Sequence, residues 1–257
     1  SAVVFSDNFD LAGPVNLDGS DQTGRRLGLL ANDVVTRSAL QQHTIVDQQL
    51  RLNNTFGPQT KRVRFHDENN LANRWDFSSG VAGQAMLDSR GFTVIFDYTA
   101  PTTSSTNWIA WNVGINPAAA EPSFRVNDSQ TDFGILFRDN GGTQVFDNGV
   151  AGVGNGFTNS AGSRHVVIDF TTQSWADGAG VLVNASVDGT SVLTNYPFQW
   201  DNNAGVINFE LGTLQNGALI HNFEIVTHVI PEPQTAAMTL IGMGILLMAR
   251  KREEEYA

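Results

Sequence analysis

Apolar residues in this chain recur at every second position, and this alternation limits the fold more than any other feature. Phe92-Thr93-Val94-Ile95-Phe96-Asp97-Tyr98 has it, as do Phe133 to Arg138, Val166 to Phe170 and Val181 to Val187. A period of two is the signature of a strand with one face buried. Turn residues separate these runs. Asp139-Asn140-Gly141-Gly142 precedes Thr143 to Phe146 and reads as a hairpin. Asp188-Gly189 before Thr190 reads as a tighter one, because it supplies the positive φ that primed turns need. Val206 to Leu211 and Leu219 to His228 complete the series, with Leu219, Phe223 and Ile225 expected on one face of the last strand. Residues between Gly28 and Gln42 carry the chain's one hint of a short helix.

Many antiparallel strands with almost no helix call for a sandwich or a barrel. The 257 residues contain 25 Gly and 16 Phe, with 16% charged residues, and that balance suits one large β-domain. There is no Cys, so a disulfide framework and thiol chemistry are excluded. The net charge of −11 argues against a nucleic-acid partner.

The body resembles the concanavalin A-like jelly roll. The resemblance rests on Ser6-Asp7-Asn8-Phe9 at the start, Gly189-Thr190-Ser191-Val192 after a long strand, and the closing run Ala218 to Ile225. It implies an all-β sandwich over residues 1–229 in which the first and last strands lie side by side. It also implies lectin-like contact with polysaccharide. Glycoside hydrolases on such a sandwich carry acid and nucleophile on one strand, an even number of residues apart. In the body no two Asp or Glu stand at i and i+2. The expectation is therefore a non-catalytic protein, with a hydrolase or lyase built from dispersed carboxylates as an alternative. A structural surface protein without a small ligand is the other.

The candidate ligand contacts are aromatic, since sugar rings stack on exposed aromatic faces. Trp108 and Trp111 stand three apart, so an extended chain puts them on opposite faces and at least one in the core. Trp175 and Trp200 fall in loop-like sequence, and Trp200 is followed by Asp201 and Asn202. Trp175, Trp200, Asp201 and Asn202 are the expected sugar contacts. Calcium takes oxygen ligands, and Asp128 with Asp132 offers a pair for it, though solvated turn residues would look the same. Arg62 and Arg64 share a strand face and read as a solvated pair, while His221, among apolar neighbours, reads as structural.

After Val229 the character changes. Pro231 and Pro233 fix φ and remove two backbone donors, so a strand must end there. Residues 235–249 are uncharged and suit a short hydrophobic helix, and Arg250-Lys251-Arg252 follows. At about 1.5 Å per residue the run reaches about 22 Å, against roughly 30 Å of hydrocarbon, a marginal span. The basic triplet favours a cytoplasmic end. Pro231-Glu232-Pro233, the apolar run and Arg250, Lys251 and Arg252 closely resemble the PEP-CTERM sorting signal of bacterial surface proteins. That resemblance assigns residues 230–257 to a sorting signal. It implies an exosortase-type membrane protease as partner and transient residence in the inner membrane, then release to the cell surface or extracellular matrix. The start, Ser1-Ala2-Val3-Val4, reads as a mature N-terminus whose export signal has been removed.

Overall fold

In the computed structural model the described residues are 1–17, 25–29, 34–37, 44–52, 61–67, 76, 78–100, 102–116, 126, 131–158, 161–201, 206–213 and 218–229. The first seven strands are β1 (Val3–Asp7), β2 (Val15–Asn16), β3 (Arg26–Leu27), β4 (Val34–Arg37), β5 (Thr44–Val46), β6 (Gln49–Leu52) and β7 (Lys61–Asp67). Helix α1 (Gly80–Asp88) leads into β8 (Gly91–Ala100) and β9 (Trp108–Asn116). The hairpin strands β10 (Phe133–Arg138), β11 (Thr143–Asp147) and β12 (Val150–Val153) follow. The chain then forms β13 (Gly162–Thr171), β14 (Gly180–Val187), β15 (Thr190–Gln199), β16 (Val206–Thr213) and β17 (Ala218–Thr227).

The strands pair antiparallel into two sheets. One has ten strands, running β15-β14-β13-β8-β17-β6-β5-β2, with β1 on β17 and β3 on β1. The other has seven, in the order β12-β11-β10-β9-β16-β7-β4. Aromatic side chains from the two inner faces meet to make the core. Phe133 of β10 stacks on Phe198 of β15 with centroids 5.3 Å apart, and Trp111 of β9 packs on Phe170 of β13 at 5.2 Å. The fold is thus an all-β sandwich, as the period of two requires. In β8, Phe92, Val94, Phe96 and Tyr98 are sealed while Thr93, Ile95, Asp97 and Thr99 are half-buried on the other face.

Several local expectations hold. Val187 pairs with Thr190 across Asp188 and Gly189, whose φ values are 50° and 76°. The first and last strands are neighbours, with Asp7 opposite Phe223 and Ser6 opposite Glu224. The opening Ser6-Asp7-Asn8-Phe9 works through its carboxylate. Asp7 Oδ1 accepts the Phe9 amide at 2.9 Å, and Arg25 and Arg26 each place Nε 2.9 Å from the same buried carboxylate.

Three expectations fail for physical reasons. Val34–Arg37 is a strand, not part of a helix, because it pairs with β7 at the sheet edge. The helix lies at Gly80–Asp88, where Ala82, Gly83 and Met86 face the core. In β17 the buried residues are Ile220, Phe223 and Ile225, and Leu219 is only half-buried. An extra residue between Ile220 and Asn222 shifts the register against β8, so the alternation reverses at that bulge.

Among the described residues no helix is long and apolar enough to cross a membrane. The expected sorting segment 230–257 lies outside the described residues, and with it Pro231, Glu232, Pro233, the run 235–249, Arg250, Lys251 and Arg252.

Candidate functional site

Each sheet turns one face inward, and on the outer face of the seven-stranded sheet Ala110, Asn112, Leu136 and Phe146 are buried as well, with Val126 packed there. On the outer face of the ten-stranded sheet Asp97 and Asp169 are engaged. His165 Nδ1 lies 2.6 Å from Asp97 Oδ1, and His228 Nε2 lies 2.8 Å from Asp169 Oδ1. Thr93 donates to Asp169 at 2.9 Å, and Thr99 Oγ1 meets His221 Nε2 at 2.6 Å, the structural role expected for that histidine. Burial pushes the Asp169 carboxyl up, but the contacts from His228 and Thr93 and the charge of His228 outweigh it. The carboxyl is held below its ordinary value of 3.8. Among the described residues no three His, Asp or Glu side chains are placed to hold a metal.

The outer face of the seven-stranded sheet is different. Ala110 of β9, Leu136 of β10, Phe146 of β11 and Val126 form a second apolar cluster, separate from the main core, with Trp108 partly exposed at its edge. Arg138, opposite Trp108 in the β9–β10 register, is fixed by two donations of 2.8 Å, to Ser105 O and to Gln144 Oε1. An indole with a free edge therefore sits beside a held guanidinium and a side-chain amide. Asn112 lies on the same face, buried, and its Nδ2 has no hydrogen-bond partner. Across the sheet the register sets Gly134, Asn112, Glu210, Arg64 and Arg37 in one row, with Leu136, Ala110, Gly212 and Arg62 in the next.

A buried arginine ties the two sheets together under this face. Arg164 of β13 donates from Nη1 to the Tyr98 hydroxyl at 3.1 Å and to Arg138 O at 3.2 Å, and from Nη2 to Asp139 O at 2.7 Å. Its guanidinium also lies 4.8 Å from the centre of the Phe157 ring. Burial pushes the Tyr98 phenol up to about 12, against the lowering effect of Arg164, so it stays neutral. The backbone that carries Arg138 onto the outer face is thus anchored from below.

The residues expected to touch sugar are placed otherwise. Trp175 and Trp200 are 8% and 1% exposed and pack on each other with centroids 5.2 Å apart. Trp175 Nε1 donates to Gly83 O at 3.1 Å, and Trp200 Nε1 donates to Thr172 Oγ1 at 3.2 Å. Loop-like sequence does not make an exposed ring: these loops fold back over the end of the sandwich and seal it. Neither indole offers a face to a ligand. Asp201 is exposed, and its backbone N–H donates to Asp132 Oδ2 at 3.2 Å. The structure thus joins a residue expected to bind sugar with one expected to bind calcium. Asp132 is itself buried, and Asp128 and Asn202 lie outside the described residues. Of the pair expected to bind calcium only Asp132 is described, and its carboxylate already accepts a backbone amide.

The Trp that reaches solvent in part, among the described residues, is Trp108. Its spacing from Trp111 announced opposite faces, and Trp111 is fully buried. Which of the two turns outward depends on where the ten-stranded sheet packs.

No protein-family model matches the chain, and no curated protein does. Solved structures do resemble it in fold. A Trypanosoma rangeli sialidase in complex with 2,3-difluorosialic acid aligns at a TM-score of 0.51 and 12% identity, over 90% of this chain and 31% of the sialidase. This chain spans about a third of that enzyme's length. The Emp46p carbohydrate recognition domain in its potassium-bound form aligns at 0.49 and 10%, over 87% of this chain and 100% of that one. The Emp47p carbohydrate recognition domain aligns at 0.45 and 12%, over 84% and 95%. At such identities the likeness concerns the fold alone, and the sialidase alignment agrees with the antiparallel sandwich described above.

Proposed function

We propose that this is an exported, non-catalytic surface or matrix protein that holds extracellular polysaccharide at Trp108, on the edge of the outer face of its seven-stranded sheet. Trp108 carries the reading: among the described residues it is the Trp whose ring is not sealed in the core. It stands beside Arg138 and Gln144, which are held in place as polar partners for hydroxyl groups. In the body no two Asp or Glu stand at i and i+2, the spacing that would carry acid and nucleophile on one strand face. Glycoside hydrolysis ordinarily uses two carboxylates, so this supports holding a glycan over cutting it.

Trp108→Ala is expected to weaken polysaccharide binding roughly tenfold, the value of one stacked aromatic face. A glycan array followed by titration calorimetry on the best ligand measures this, with the melting temperature as a control on folding. Unchanged affinity in the variant would remove the site. A wild-type protein that binds no glycan would favour a purely structural surface protein, and release of reducing sugar would favour the enzyme.

The proposed export route rests on the tail's resemblance to a sorting signal. In support, β17 ends at Thr227 and is flanked by β1, β8 and β6, so the sandwich has its closing strand before Pro231. A chain ending at Val229 is expected to keep the melting transition of the full chain. Aggregation, or loss of the transition in calorimetry, would mean that residues beyond Pro231 belong to the fold. Retention of the body in the inner membrane of cells lacking the exosortase-type protease tests the route itself. Release that proceeds unchanged without the protease would refute it.

A further inference from the structure

β12 closes one side of the seven-stranded sheet, and among the described residues no strand pairs with its outer edge. The hairpin before it fixes which groups face that edge. Asn148 and Gly149, with φ of 46° and 77°, form a two-residue turn, so Asp147 and Val150 are a hydrogen-bonded pair. The ladder continues at Gly152, opposite Val145, and at Gly154, whose N–H donates to Thr143 O at 3.2 Å. Ala151 and Val153 therefore turn their main-chain groups away from β11, to the free edge. Their side chains lie on the outer face, since Ala151 stands opposite Phe146 of the second apolar cluster. Val153 is 89% exposed and Val150 71%.

Such an edge is ordinarily guarded by charge, proline or a bulge. β15, the edge strand of the other sheet, lies alongside, since the Asn155 N–H donates to Val192 O at 2.8 Å. It has two of these guards: Pro197 is exposed, and the register against β14 shifts twice. β12 has none of them. Residues 148–158 and 189–200 contain no charged side chain, in a chain with 16% charged residues and a net charge of −11. Two copies of so acidic a chain repel each other, and this side lets them approach without setting like charges face to face.

We infer that β12 pairs antiparallel with β12 of a second copy of this chain across a two-fold axis at Gly152, joining the two seven-stranded sheets into one. The strand suits its own copy. A match centred on Gly152 sets Ala151 of each copy opposite Val153 of the other, and their outward groups close about four hydrogen bonds. On the outer face a methyl group meets an isopropyl group. On the inner face Gly152 meets Gly152, with no side chain to collide. The four residues of β12 make a small contact, so the dissociation constant is on the order of 10–100 μM. The outer faces of the two copies turn the same way. Their Trp108 residues stand about 34 Å apart across the joined sheet, three strand spacings in each copy and one between them. On the glycan-binding reading above, one polymer would then be held at two points, with the gain that bivalency brings. The pairing itself does not depend on that reading.

Analytical ultracentrifugation of the full chain from about 1 to about 500 μM tests this, and a monomer–dimer equilibrium is the expected result. Val153→Lys and Val153→Asp should each weaken association at least about tenfold, by placing like charges at the axis. Neither should move the melting temperature, since Val153 is exposed. An equal mixture of V153K and V153D should recover the dimer, because the two side chains lie diagonally across the axis, about 8 Å apart and within reach of each other. A misfolded variant cannot produce that gain. In amide hydrogen exchange read by NMR, Ala151 and Val153 should slow as concentration rises, while Gly152, bonded within the sheet, should not. A chain that stays monomeric at about 500 μM would overturn the inference. A dimer untouched by both V153K and V153D would overturn it too, since the contact would then lie on another surface. Protection of Ala151 and Val153 by an added foreign extended peptide, with the chain itself monomeric, would also overturn it.

Discussion

Trp200→Ala is expected to lower the stability of the sandwich by about 3–5 kcal/mol, the cost of removing a fully enclosed indole. Trp200 is 1% exposed, meets Phe198 edge-on at 4.9 Å and Trp175 at 5.2 Å, and donates to Thr172 Oγ1. Truncation would open a cavity between these rings and leave a buried hydroxyl short of a donor. It would also loosen the end of β15, because the Trp200 N–H donates to Ala179 O at 3.0 Å and Trp200 O accepts the Gly178 N–H at 2.7 Å. In a chain of this size such a loss lowers the melting temperature by roughly 10 °C. Urea denaturation measures it directly. Glycan affinity at a temperature where the variant is folded should be unchanged. A variant as stable as wild type that has lost glycan binding would return Trp200 to the role its flanking sequence suggested.

Gly91→Ala is expected to be comparably damaging, by about 3 kcal/mol or more, from backbone strain and overpacking together. Gly91 has a φ of +146°, and a Cβ there would fall 1.9 Å from Phe170 O and 2.5 Å from His228 Cε1. The first of these atoms belongs to the paired backbone of β13, which no rotamer change can move. The position is also crowded with hydrogen bonds. Gly91 O accepts from the Ser89 hydroxyl at 2.8 Å and from the His228 N–H at 3.3 Å. Residues 89–91 thereby join the end of α1, the start of β8 and the last described residues of the chain. Thermal and urea melts of the variant test this, and a melting temperature within about a degree of wild type would show that the junction gives way easily. Gly180→Ala is the matched control, since a Cβ there meets nothing within 4 Å.

The two variants also show how far this fold was legible in its sequence. The alternation of Phe92 to Tyr98 and the Asp188-Gly189 turn follow from local rules, a period of two and a positive φ, while the pairing of first and last strands was implied by the resemblance to the jelly roll. The structure obeys each of them. Gly91 carried no such mark, because its requirement comes from Phe170 and His228, which are distant in sequence. The bulge at His221 was hidden for the same reason. It is a property of how β17 meets β8, and it swaps Leu219 for Ile220 in the core. Helix α1 escaped notice because two of its nine residues are Gly, and it is held by its buried side, Ala82, Gly83 and Met86, more than by propensity.

The candidate site was half-visible. Trp108 and Trp111 had to face opposite ways, but an isolated strand has two equivalent faces, and only the ten-stranded sheet packing on one of them buries Trp111 and frees Trp108. Trp175 and Trp200 misled because flanking Gly, Asp and Asn describe the backbone path and say nothing of where a large ring finds cover. The expectation that Arg62 and Arg64 form a solvated pair concerns side chains outside the described residues. By itself, then, the sequence determined that the chain is an all-β protein, where its hairpins turn and which residues alternate, since each is settled within a few bonds. The tertiary structure decided which face of each strand is inside and which indole reaches water. Those depend on contacts between residues far apart in the chain, and burial is decided by the partner surface as much as by the residue.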